Sequence, residues 1–150
     1  MKHLFAIVAL VVGLTAAAVA QNSESPDDGI HYLALQISDN DPEKMNTVLN
    51  VAANVSRLYS ERAEEVEIRI VAFNAGLHML RSDTSPVLDR LKSFDQSMPN
   101  VSFAACQNTI DAMAKKEGQE IPIADNAERV PAGVVELIEL DEDGWTIVRP

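Results

Sequence analysis

A chain of 150 residues with 23 acidic and 12 basic side chains, a formal charge of −11, lacks the surface that nucleic acid or an anionic membrane requires. Its densest basic feature is the pair Lys115-Lys116, so no nucleic-acid partner is expected. The single cysteine excludes an intrachain disulfide and leaves stability to packing.

Met1-Lys2-His3 is a short basic start, Leu4 to Ala18 is almost unbroken apolar sequence, and Ala18-Val19-Ala20 is a small-x-small cleavage site. This is the pattern of a secretory signal peptide over residues 1–20. The apolar run is too short for a good membrane span, so no membrane insertion is expected after the signal is removed. The mature protein expected is Gln21 to Pro150, periplasmic or secreted. Loss of Lys2 leaves 11 basic against 23 acidic residues, a formal charge of −12, and the remaining 130 residues fit one domain. In an oxidising compartment a lone thiol is buried, joined to another molecule, or used chemically.

Residues 21–29 are polar and read as a flexible leader, followed by one domain over residues 30–150. His31 to Ile37 has the character of a strand. Asp41-Pro42 supplies an N-cap and a proline at the first helical position, and Met45, Val48, Leu49, Ala52, Val55 and Tyr59 recur at helical spacing, predicting a helix from Pro42 to Arg62. Val66 to Phe73 is a second strand, apolar enough to be buried on both faces. Asn74 to Leu80 is a loop or short helix, and Ser85-Pro86 opens a second helix carrying Leu88, Leu91 and Phe94 on one face. Asn100 to Ala105 is a third strand, Gln107 to Glu117 a third helix, and Gly118 its C-terminal stop. A short fourth strand is expected within residues 121–130. A helix from Ala132 to Asp143 and a terminal strand over residues 145–148 complete the chain. Strands separated by helices need crossover connections, which gives an α/β protein of three layers with a mainly parallel sheet.

In such sheets ligands and reactive groups lie beyond the carboxyl ends of the strands. Ser38-Asp39-Asn40-Asp41, Asn74 to Leu80, and Cys106-Gln107-Asn108 fall there. Cys106 stands where an apolar strand meets a helix, so unpaired N–H groups and the helix dipole favour its thiolate. It is the candidate catalytic residue; the alternative is a small buried hydrophobe. Asn108 and Thr109 offer backbone donors to an anionic sulfur, Gly76 permits close approach of the neighbouring loop, and Asn74 and His78 are candidate polar contacts. Each also has a plainer reading: helix caps for Asn108 and Thr109, a turn residue for Asn74, a backbone adapter for Gly76, and an ordinary histidine for His78.

No metal site or cofactor is expected. Asp39-Asn40-Asp41 lacks the glycine and distal glutamate of a calcium loop, and His31 and His78 have no ligand-spaced companions for zinc. Phosphate-binding, dinucleotide-binding and serine-hydrolase glycine motifs are missing from the sequence.

Asp41-Pro42-Glu43-Lys44, Val71-Ala72-Phe73-Asn74-Ala75-Gly76, Phe103-Ala104-Ala105-Cys106-Gln107-Asn108-Thr109 and Val130-Pro131-Ala132-Gly133-Val134 through Gly144-Trp145 together resemble the DsrE/DsrF-like family. The resemblance covers about His31 to Pro150. It implies a five-stranded parallel sheet, small homo- or hetero-oligomers and, in sulfur-relay members, a cysteine that carries sulfur as a persulfide; Cys106 is the matching position. Two functions are therefore carried forward. One is sulfur trafficking through Cys106, with a thiol or persulfide donor or acceptor protein as partner. The other is a non-enzymatic oligomeric binding module in which Cys106 is structural. Apolar Trp145, Ile147 and Val148 on a terminal edge strand also argue for a homo-oligomer.

Overall fold

The computed structural model describes residues 29–150; the expected signal peptide and all but the last residue of the expected leader lie outside them. In chain order the elements are β1 (Ile30–Ile37), α1 (Pro42–Glu61), β2 (Glu65–Ala72), a 3-10 helix (Asn74–Leu80), α2 (Leu88–Ser97), β3 (Val101–Cys106), α3 (Gln107–Glu117), β4 (Ala127–Val130), α4 (Gly133–Glu142) and β5 (Thr146–Val148). The strands form one sheet of order β4-β3-β2-β1-β5, and every pairing is parallel.

This order explains the three layers. From β1 to β4 each strand is laid beside its predecessor in one direction, and right-handed crossovers in one direction place their helices on one face. The connection from β4 to β5 returns across the sheet, so α4 falls on the opposite face. Packing follows suit. The larger core joins Leu35, Ile37, Ile68, Ile70 and Phe103 of the sheet to buried residues of α1, the 3-10 helix, α2 and α3. The smaller core sets Ala34, Val71, Ala104 and Val130 against Leu137 and Leu140 of α4. The architecture is a three-layer α/β/α sandwich.

Local signals account for most boundaries. The Asp41 carboxylate accepts the Glu43 N–H at 2.8 Å, with Pro42 in the first turn. Met45, Val48, Leu49 and Ala52 of α1 are buried, and each of the larger side chains contributes about 1.5–3 kcal/mol by leaving water. Gly118 ends α3 with φ of 69°, in the left-handed region that glycine adopts freely. The regular part of α2 starts at Leu88, later than the Ser85-Pro86 signal predicts. The Ser85 hydroxyl donates to the Met79 carbonyl and accepts the Val87 N–H at 3.3 Å, so it shapes the turn that leads into the helix.

Arg81 is 3% exposed, a buried cation that sequence patterning does not reveal. Its guanidinium donates to both oxygens of Asp83 and both of Glu117, fastening the segment after the 3-10 helix to the end of α3. Hydrogen bonding to Arg81 holds the Asp83 carboxyl down to about 2 against the opposing effect of burial. Trp145 does not stand open at the sheet edge. It packs with the α4 core and lies 5.0 Å from Tyr32, ring centre to ring centre. Exposed apolar area falls instead on the outer side of α4, at Val134, Val135 and Ile138, and on β5 at Val148.

Candidate functional site

Three neighbouring strands deliver their carboxyl ends to one place. Ala72 of β2 pairs with Ala105 of β3, and Cys106 pairs with Val130 of β4. Side chains alternate along a strand, so Cys106 projects to the same face as Ala104, towards α4. The Cβ atoms confirm this: one built on Gly133, the first residue of α4, would lie 3.3 Å from that of Cys106. Cys106 is itself the N-cap of α3. The starts of two helices therefore converge on one sulfur.

The residue is only 5% exposed. Burial raises the pKa of its thiol and is the largest single influence, yet the hydrogen bonds outweigh it. The Thr109 hydroxyl and the N–H groups of Gly133, Thr109 and Asn108 bring the thiol below its ordinary value. The Cys106 side chain makes no capping hydrogen bond to α3; a thiolate, the stronger acceptor, gains most from donors so placed. The Asn108 N–H is also directed at the Pro131 carbonyl, at 3.3 Å, which ties α3 to the entry of α4.

Cys106 lies in the wall of an open pocket of about 500 Å³. Phe73, Ala112, Met113 and Val134 give it apolar sides, and Asn74, Asn108 and Thr109 give it a polar end near the sulfur. Lys116 is the one charged side chain of the lining among the described residues. Thr109, Ala112, Met113 and Lys116 recur at i, i+3, i+4 and i+7, so one stripe of α3 faces the cavity.

The predicted site residues separate into two groups. Asn74, Asn108 and Thr109 meet at the pocket with Cys106. Asn74 has φ of 49° and its N–H donates to the Thr109 hydroxyl at 3.0 Å, joining the end of β2 to the start of α3. Gly76 and His78 do not line the pocket. Gly76 packs on the end of β1, where an added Cβ would come within 2.3 Å of the Ile37 carbonyl oxygen, and His78 is a half-buried residue of the 3-10 helix. The loop after β1 does not join the pocket either: Asp39 is occupied by Lys44 at 3.0 Å and Arg149 at 2.9 Å. Gly133, Phe73, Met113 and Lys116 were not picked out as site residues by sequence. A helix start contributed from a distant segment leaves only a weak trace, here the Pro131-Ala132-Gly133 turn. Among the described residues no cluster of His, Cys, Asp or Glu is placed to hold a metal.

No family model matches the chain, and no curated protein matches it. The chain is similar in fold to a solved structure of MTH1491 from Methanobacterium thermoautotrophicum, described as a protein of unknown function. The TM-score is 0.65 and the identity 25%, over 80% of this chain and 99% of that one. The likeness is to a protein of the same α/β class.

Proposed function

We propose that this protein belongs with the DsrE/DsrF-like proteins and traffics sulfane sulfur as a persulfide on Cys106, in the periplasm or outside the cell, as a homo-oligomer that exchanges sulfur with a thiol or persulfide partner. The observation that carries the reading is the convergence of α3 and α4 on Cys106: their N–H groups and the Thr109 hydroxyl favour an anionic sulfur at the wall of an open pocket. A sulfur carrier needs little more. The thiolate attacks the terminal sulfur of R–S–SH, a new Cys106 S–S bond forms, the donor's S–S bond breaks, and R–S⁻ leaves with the electron pair. Attack by an acceptor thiolate on the terminal sulfur of Cys106–S–SH then regenerates the Cys106 thiolate. No external oxidant or reductant enters either step.

Intact mass under non-reducing conditions, after incubation with a persulfide donor, tests the reading. Addition of one sulfur that a thiol reductant removes, and that Cys106→Ser abolishes, is the expected result. A second reading, the non-enzymatic binding module with a structural Cys106, draws on the 5% exposure of that residue and on the apolar outer side of α4. A thiol that resists alkylation until the protein unfolds would decide for it.

A further inference from the structure

We infer that the pocket selects low-molecular-weight organic persulfides whose anionic group lies several bonds from the reacting sulfur, with Lys116 as the residue that recognises the anion. The inference rests on the sulfur-carrier reading and adds the substrate class to it.

Three features of the cavity lead there. Its volume of about 500 Å³ is far more than a bare sulfane sulfur occupies and suits a small organic molecule. Its sides are apolar between the sulfur and the lysine: Ala112 and Met113 stand between Thr109 and Lys116 on the facing stripe of α3. Seven residues of helix put the Lys116 backbone about 10 Å beyond that of Thr109. Helical side chains lean towards the N-terminus, which brings the ammonium group part of the way back.

The electrostatics agree. The chain carries −11 overall, which discourages anions everywhere, but the pocket lining contains no acid and one cation. Lys116 forms no ion pair among the described residues, so its charge is available to a ligand. A molecule with a thiol-derived sulfur at one end, a short hydrocarbon middle and a carboxylate at the other end matches donors, apolar wall and ammonium in order. An inorganic donor could reach the sulfur but could not span the distance to the lysine.

The test compares the loading of Cys106 by the persulfides of 3-mercaptopropionate and 2-mercaptoethanol, which differ in the carboxylate, using stopped reactions and intact mass of the full chain. The wild-type protein should load the carboxylated donor about fivefold faster, the scale of an ion pair at a partly open site. The ratio should survive Lys116→Arg, fall to about one in Lys116→Gln, invert in Lys116→Glu, and shrink in high salt. Glutamine and lysine have similar helix propensities, so the exposed substitution leaves folding intact. Equal rates for both donors in the wild-type protein, or a ratio indifferent to Lys116, would overturn the inference while leaving the persulfide carrier standing. Failure of both small donors to load Cys106 would also overturn the inference, and failure of a protein-bound persulfide to load it as well would sink the carrier reading. Binding of 3-mercaptopropionate to Cys106→Ser, followed by NMR with and without Lys116→Gln, then judges the anion site separately: loss of binding with the lysine sustains it, and binding of neither thiol overturns it.

Discussion

The two faces of the sheet are built differently. One is sealed by α1, the 3-10 helix, α2 and α3 over large aliphatic side chains from three central strands. The other has a single helix, small residues Ala34, Val71 and Ala104 beneath it, and a polar surround. There Arg69 donates to Glu136 of α4 and to Glu128 of β4, and burial raises the pKa of Glu67, with Glu65 adding to the effect. Cys106 points to this second face. The thick side fixes the positions of the strand ends, and the open pocket beside them is walled by α3 of the thick side and by the start of α4 on the thin side. The candidate site thus lies where the two sides meet, at the carboxyl ends of the strands, and not within either core.

The contrast can be broken most severely at Gly76, where the thick side meets the end of β1. An added Cβ would lie 2.3 Å from the Ile37 carbonyl oxygen and 2.8 Å from the Ser38 nitrogen, both backbone atoms. Gly76→Ala should cost about 3 kcal/mol, the upper end for overpacking, seen as a lower urea midpoint. A loss within experimental error would mean that this junction is pliable. Arg81→Met comes next, at about 2 kcal/mol, less than a fully buried pair because Asp83 and Glu117 retain access to water. The same cluster predicts an acid dependence. The Asp83 carboxyl titrates at about 2 in the folded protein against an ordinary 3.8, so its contribution is complete above about pH 4 and is lost as pH falls towards 2. In Arg81→Met that segment of the stability profile should flatten.

Around the pocket the effects should be smaller in stability and larger in reactivity. Gly133→Ala places a Cβ 2.9 Å from that of Phe73 and 3.3 Å from that of Cys106. It should cost about 1.5 kcal/mol, since the Phe73 Cβ can give way only by movement of its own backbone. Alkylation of Cys106 should slow at the same time, because the Gly133 N–H moves off the sulfur. Thr109→Val has the least effect on folding, within about 0.5 kcal/mol, because water can replace the hydroxyl at the exposed Asn74 N–H. Removing a donor to the thiolate raises the Cys106 pKa, so alkylation at pH 7 should slow on the order of threefold, with Thr109→Ser retaining the wild-type rate. A pH–rate profile unchanged by Thr109→Val would remove the hydroxyl from the account.

The elements were legible because their signals are local. Asp41-Pro42, the spacing of Met45, Val48, Leu49 and Ala52, and Gly118 each mark a boundary within a few residues of sequence. That Cys106, Asn108 and Thr109 lie together was legible because a strand-to-helix junction is itself a local event. Gly133 and Lys116 were not. The first matters through a helix start that the sheet order brings across to Cys106, the second through a helical stripe whose facing cavity exists only after folding. Gly76 and His78 share a loop with Asn74, yet the 3-10 helix turns them away from the pocket, a direction that spacing alone does not give. Arg81 carries no local signal of burial, and only the approach of Glu117 beside Asp83 shows how its charge is met.

The strand order also bears on synthesis. Growth from the N-terminus yields β1 through β4 and the helices of the thick side before α4 and β5 exist. Until residues 133–148 emerge, the row Ala34, Val71, Ala104 and Val130 has no cover and β1 keeps an open edge. A nascent or truncated chain ending before α4 is therefore a half-finished sandwich with one adhesive side, a natural client for a holding chaperone and a starting point for aggregation.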